Sequence, residues 1–181
     1  MWIILSFLTV FFESIKDVFS KKTLKDIDEY IVAWALRVFA LPFLLPILFF
    51  IKIPELGDKF LLVLLISGFL NIVATILYMR AIKLSDLSIT VPMVTFTPLF
   101  LLVTSPLIVG EFPGIFGIIG IFLIVMGSYL LNIKKKSQGY LAPFKALIAE
   151  KGPKLMLVVA FIWSITSNFD KVGILNSSPM F

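Results

Sequence analysis

The chain has no cysteine and no histidine, and charged residues fill only 15% of its 181 positions. The lack of cysteine removes disulfide frameworks, thiolate zinc sites, haem attachment and thiol nucleophiles. The lack of histidine removes the commonest metal ligand and the usual general base near neutral pH. No Gly-x4-Gly-Lys-Ser/Thr loop occurs, so nothing in the sequence supports ATP hydrolysis, and no cofactor or metal is expected. What is abundant is apolar: 60% of residues are hydrophobic and 14% aromatic, with 19 Phe, and the mean hydropathy is +1.07. A soluble domain has roughly 45–50% apolar and 25% charged residues. A water-soluble enzyme domain is therefore excluded, and the lipid bilayer is the expected solvent. The net charge of +5 then reads as membrane topology and contact with anionic headgroups, not as nucleic-acid binding.

A hydrocarbon core of about 30 Å takes roughly 20 helical residues. Such stretches follow one another at about 2–20, 30–51, 60–82, 86–108, 113–132 and 154–174. They predict an all-α fold, a polytopic membrane helix bundle of about six transmembrane helices. The first stretch has no positive n-region and no small-residue cleavage site, and reads as a retained helix, not a signal peptide. Punctuation at Pro54 to Lys59, Arg80 to Asp86 and Gly110 to Pro113 makes sequential helices antiparallel neighbours. In the basic connection 133–153, Tyr140, Leu141, Phe144, Leu147 and Ile148 have the spacing of a short helix lying in the headgroup plane. A linker without fixed structure fits that segment equally well.

Comparing the two ends of the chain shows an internal repeat. Ser14-Ile15-x-x-x-Phe19-x-Lys21 recurs as Ser164-Ile165-x-x-x-Phe169-x-Lys171, late in a helix both times. If a second copy starts at residue 154, the first copy holds five helices. An odd-numbered repeat enters the membrane in the opposite sense in its second copy, the inverted-repeat arrangement of many secondary transporters. The expected domains are then 1–132, a five-helix repeat; 133–153, the basic linker; and 154–181, the first helix of a truncated second repeat.

Several segments resemble the EamA family of the drug/metabolite transporter superfamily. Ile162-Trp163-Ser164 with Asn168-Phe169 and Lys171 is similar to that family's first-helix pattern, and Ala35 to Ala40, around Arg37 and Phe39, to its second. Tyr78-Met79-Arg80-Ala81-Ile82 resembles the end of its third helix. Thr95-Phe96-Thr97-Pro98-Leu99-Phe100, Gly110-Glu111 and the glycines from Gly117 to Gly127 are similar to its fourth and fifth. The resemblance implies half of an inverted-repeat ten-helix transporter fold, in a multi-pass protein of the cell membrane. It implies movement of a small metabolite or drug-like solute by alternating access. The alternative is a non-transporting subunit or fragment whose missing helices come from a homo-oligomer or partner chain. A membrane-embedded enzyme would need convergent carboxylates or hydroxyls beyond Glu13 and Asp17, so no enzymatic activity is expected.

Taken at 100° per residue, Ser6, Thr9, Glu13, Lys16, Asp17 and Ser20 fall within about 100° of arc on the first helix. Charge inside a bilayer is disfavoured, so this stripe should face a bundle interior or wet cavity. Glu13 is the most deeply placed carboxylate, and its position resembles the first-helix glutamate of the small multidrug resistance branch. It could exchange protons with substrate, or simply be neutralised by Lys16 at i,i+3. Thr166, Ser167 and Asp170 repeat the stripe beside Trp163 and Asn168. The candidate substrate-binding residues are Glu13, Ser14, Asn71, Tyr78, Thr95, Pro98, Trp163 and Asn168.

Other polar positions carry plainer readings. Asn71, Thr75 and Tyr78 share a face of the third helix and could bind solute or act as interhelical glue. Pro92, Pro98 and Pro106 interrupt the fourth, as kinks or as openings to a binding site. Gly117, Gly120 and Gly127 form a smooth packing strip on the fifth. Arg37 is expected to snorkel to the interface rather than hold an anionic solute, and Glu111 suits a helix start. Lys16, Lys21, Lys22, Lys25, Arg80, Lys83 and the Lys134 to Lys154 cluster fall on one side, with Lys52 and Lys59 on the other. The positive-inside rule then places the N-terminus outside, whereas the family resemblance implies cytoplasmic termini.

Overall fold

A computed structural model describes residues 2–51, 53–131 and 150–178. Residues 133–149, with the interfacial helix expected there, lie outside the described residues. The described chain is helical, without strands. The helices are α1 (Trp2–Thr23), α2 (Glu29–Val38), α3 (Leu41–Leu44), α4 (Phe60–Leu84), α5 (Leu87–Thr90), α6 (Thr97–Ile108), α7 (Ile115–Leu131) and α8 (Lys151–Leu175). Segments of 3-10 helix, Leu45–Phe49 and Val91–Phe96, extend α3 and join α5 to α6.

Four stretches are long and apolar enough to cross a membrane: Glu29–Ile47, Phe60–Leu84, Leu87–Ile108 and Lys151–Leu175. The apolar part of α7, Ile115–Gly127, is shorter. Helix α1 has the length, and carries Glu13, Lys16 and Asp17 in its second half. The protein is a polytopic helical bundle whose apolar outer faces fit contact with lipid.

Two of the expected helices are interrupted, and proline is the reason. Pro42 and Pro46 lack the N–H that would continue the ladder from α2, so a turn at Phe39 and Ala40 is followed by a short α-turn and 3-10 winding. Pro92 does the same after α5, and Pro98 sits in the first turn of α6, where a missing donor costs least. Helix α6 ends at Gly110, with φ +77°. The amides of Val109 and Gly110 both donate to the Ser105 carbonyl, at 2.9 and 3.1 Å.

Helix α8 packs along α4 and against α6. Lipid tails are as apolar as leucine, so helices in a bilayer associate through close packing and hydrogen bonds more than through the hydrophobic effect. The contact surfaces fit that rule: Ala74, Ala81, Ala160 and Ser164 are completely buried. A Cβ added at Gly152 would lie 2.5 Å from Ser85 Cβ and 2.7 Å from the Ala81 carbonyl oxygen, so this crossing requires glycine. Gly120 and Gly127 have nothing within 4 Å where a Cβ would stand. Of the expected glycine strip, only Gly117 has a close neighbour, Pro113 Cβ at 3.3 Å from where its own Cβ would stand, so among the described residues the strip makes no close contact with another helix.

The direction of each helix follows from its end contacts. Lys21, near the end of α1, donates to the carbonyls of Ile82 and Ser85 at 2.5 and 2.9 Å. The Gly152 amide, at the start of α8, donates to Ser85 Oγ at 3.3 Å. At the other end of α4, the Gly57 amide donates to the Asn176 carbonyl at 2.8 Å. Helix α8 is thus antiparallel to α4, and α1 arrives where α8 departs.

Candidate functional site

The polar stripe of α1 turns inward only in its second half. Thr9 and Ser14 hydroxyls donate back to the carbonyls of Leu5 and Val10, at 2.9 and 2.8 Å, which satisfies them without an interhelical partner. Asp17 and Ser20 are buried. Tyr78 Oη, from α4, donates to Asp17 Oδ2 at 2.7 Å. Asp17 Oδ1 has no hydrogen-bond partner and lies 3.7 Å from Lys16 Nζ. Glu13 accepts from Lys16 Nζ, so the i,i+3 pairing legible in the sequence forms.

Around this cluster lies a cavity of about 450 Å³, walled by Glu13 and Lys16 of α1, Leu36, Arg37 and Ala40 around the end of α2, Thr75, Tyr78 and Met79 of α4, and Trp163 of α8. The Tyr78 and Trp163 rings stack there, with centroids 5.6 Å apart and planes at 29°. Lys16 Nζ sits 5.5 Å from the Tyr78 ring centroid, within cation–π range. Two aromatic faces, a carboxylate and two cationic groups thus converge from four segments. A mostly apolar hollow with a few convergent polar groups is the usual form of a small-molecule site.

A second cavity, about 670 Å³, runs between α4 and the last turns of α8, and Arg37 lines it too, with Ser67, Asn71, Asp170 and Ser177 among the walls. Ser67 Oγ donates to Asp170 Oδ1 at 2.5 Å, and Asn71 Nδ2 donates to Ser67 Oγ at 3.3 Å. Both helices that carry the repeated stripe therefore use an aspartate to bond α4, at Tyr78 from α1 and at Ser67 from α8.

Of the sequence-predicted residues, Glu13, Tyr78 and Trp163 meet in the smaller cavity, and Asn71 lines the larger. Ser14 is exposed on α1 away from both. Thr95 donates to the Pro92 carbonyl at 2.6 Å. Pro98 lines a separate pocket of about 240 Å³ with Leu101, Ser105 and Phe112. Asn168 is buried between α8 and α6, donating to Thr104 Oγ1 at 3.1 Å and to the Ser164 carbonyl at 2.7 Å. Sequence reasoning assigned Arg37 to the interface; in the structure Nη2 donates to Thr75 Oγ1 at 2.6 Å. Its depth within an apolar run was the signal that could have found it. Among the described residues, no group of three or more acidic side chains could hold a metal ion.

Comparison with known proteins gives one family match: the EamA-like transporter family, over residues 1–133. No curated protein and no solved structure matches the chain.

Proposed function

The chain belongs to the EamA-like transporter family, and from that premise we propose that it is a secondary transporter of the cell membrane, moving a small metabolite or drug-like solute by alternating access. The family is one of membrane transporters of the drug/metabolite type; the solute and the mechanism are our reading. The observation that carries it is the cavity of about 450 Å³ where side chains of α1, α2, α4 and α8 converge. Its stacked Tyr78 and Trp163 suit an apolar body, while Glu13, Lys16 and Arg37 suit a polar or charged end. The opposed directions of α1 and α8 support two related elements rocking about one site. Glu13, Asn71, Tyr78 and Trp163 are the proposed solute contacts.

Proteoliposomes containing the full chain, assayed for flux of a metabolite panel with and without a pH gradient, test this. At least one solute should move faster than in protein-free liposomes, and Trp163→Ala should slow it. A panel that moves no faster than through bare lipid overturns the reading. Glu13→Gln separates the two roles of that carboxylate. Flux that loses its pH dependence assigns proton coupling to Glu13, and unchanged pH dependence leaves it as the partner of Lys16.

A further inference from the structure

Arg37 stands near the middle of the Glu29–Ile47 span, where a charge without a counterion is strongly disfavoured. Neighbouring charges are paired within the protein: Glu13 with Lys16, and Glu29 with Lys83. Among the described residues no ion pair reaches Arg37. Its hydrogen bond goes to Thr75 Oγ1 at 2.6 Å, and that hydroxyl donates its own proton to the Asn71 carbonyl at 2.7 Å. Thr75 is thereby oriented as an acceptor. It aims the guanidinium without neutralising it, and one hydrogen bond leaves most of the five N–H donors unused.

Those donors look into space that a solute can enter, since Arg37 lines both cavities. Resting on the transport reading of these same cavities, we propose that Arg37 recognises an anionic group of the solute, a carboxylate or a phosphate, which supplies the missing counterion. The planar guanidinium fork matches either group with paired hydrogen bonds. Tyr78 and Trp163 flank the same cavity and take the apolar part of the molecule. Asp170 lines the larger cavity, outside ion-pair range of Arg37, and offers a separate station for a cationic group on the same solute.

The test is thermal unfolding of the purified full chain in detergent micelles, titrated with phenylacetate, inorganic phosphate and the neutral phenylacetamide at fixed ionic strength. One of the two anions should stabilise the wild-type protein saturably, and more than the amide does. A phenylacetate response identifies a carboxylate site and a phosphate response a phosphoryl site. Arg37→Gln should weaken that binding by about tenfold or more, and Arg37→Lys, which keeps the charge and loses the fork, should fall between. Because Arg37→Gln removes an unpaired charge, its ligand-free stability should match or exceed wild type. The proposal is overturned if neither anion outperforms the amide, or if Arg37→Gln binds as wild type does. The titration needs no transport, so flux failure sinks the transport reading while the charge preference is still read here.

Discussion

Removing the Tyr78 hydroxyl is the sharpest probe of the polar cluster that joins α1 to α4. Tyr78→Phe keeps the ring and its stacking on Trp163, and deletes the bond of 2.7 Å to Asp17 Oδ2. Both residues are 6% exposed, so water does not readily replace the lost donor. Interhelical hydrogen bonds in bilayers average about 0.6 kcal/mol and reach about 1.7, and bonds to charged groups in soluble proteins contribute about 1.5–3. A buried carboxylate acceptor places this bond near the top of the membrane range, at about 1–2 kcal/mol. For a chain of this size that lowers the unfolding temperature by roughly 2–8 °C. The assay is a double-mutant cycle of Tyr78→Phe with Asp17→Ala, followed by unfolding in mixed micelles, which subtracts each residue's other contacts, including Lys16. A coupling energy below about 0.5 kcal/mol, the size expected of sites that do not touch, would refute the reasoning.

Gly152→Ala should cost about 1–3 kcal/mol by overpacking against Ser85 and the Ala81 carbonyl. Gly120→Ala, with open space around its Cβ, should be neutral or stabilising by up to about 1 kcal/mol. The pair is read by unfolding midpoints, and equal effects contradict the packing argument. Lys21→Met removes the ammonium that caps the Ile82, Lys83 and Ser85 carbonyls. Amides in the last turn of α4 should then exchange with deuterium about tenfold faster or more, given the three hydrogen bonds lost. Exchange that speeds up equally throughout α4 would instead mean global destabilisation.

The sequence made the helices legible because bilayer thickness fixes how many consecutive apolar residues a span needs. The runs at 60–82 and 154–174 became α4 and α8, each slightly longer than expected. Hydropathy averages hardly register proline, so the interruptions at Pro42 and Pro46 were hidden inside a run that looked continuous, whereas Pro92 was legible as a break in the fourth helix. On α1 the 100° periodicity showed which residues share a face, and the structure divides that face: Asp17 and Ser20 are buried, while Thr9 and Glu13 are exposed. Partners across helices depend on the register of one helix against another, which no local pattern encodes. Glu111 illustrates this, since it suits a helix start in the sequence and pairs with Lys171, 60 positions away. Arg37 and Thr75 meet for the same reason, 38 positions apart.

The meeting of Lys21, Ser85 and Gly152 has a mechanical consequence. Helix α8 is tied to α4 at both ends, at Ser85 and at Gly57, whereas α1 is held only near its own end, by Lys21 and Asp17. Tilting of α1 against the α4–α8 pair therefore displaces least near Ser85 and most at the start of α1. That makes Ser85 a fulcrum and the 22 residues of α1 a lever arm of about 33 Å. A swing of about 5° about that point moves the far tip by about 3 Å, roughly the width of a water molecule, while the anchoring bonds at the near end stay within reach.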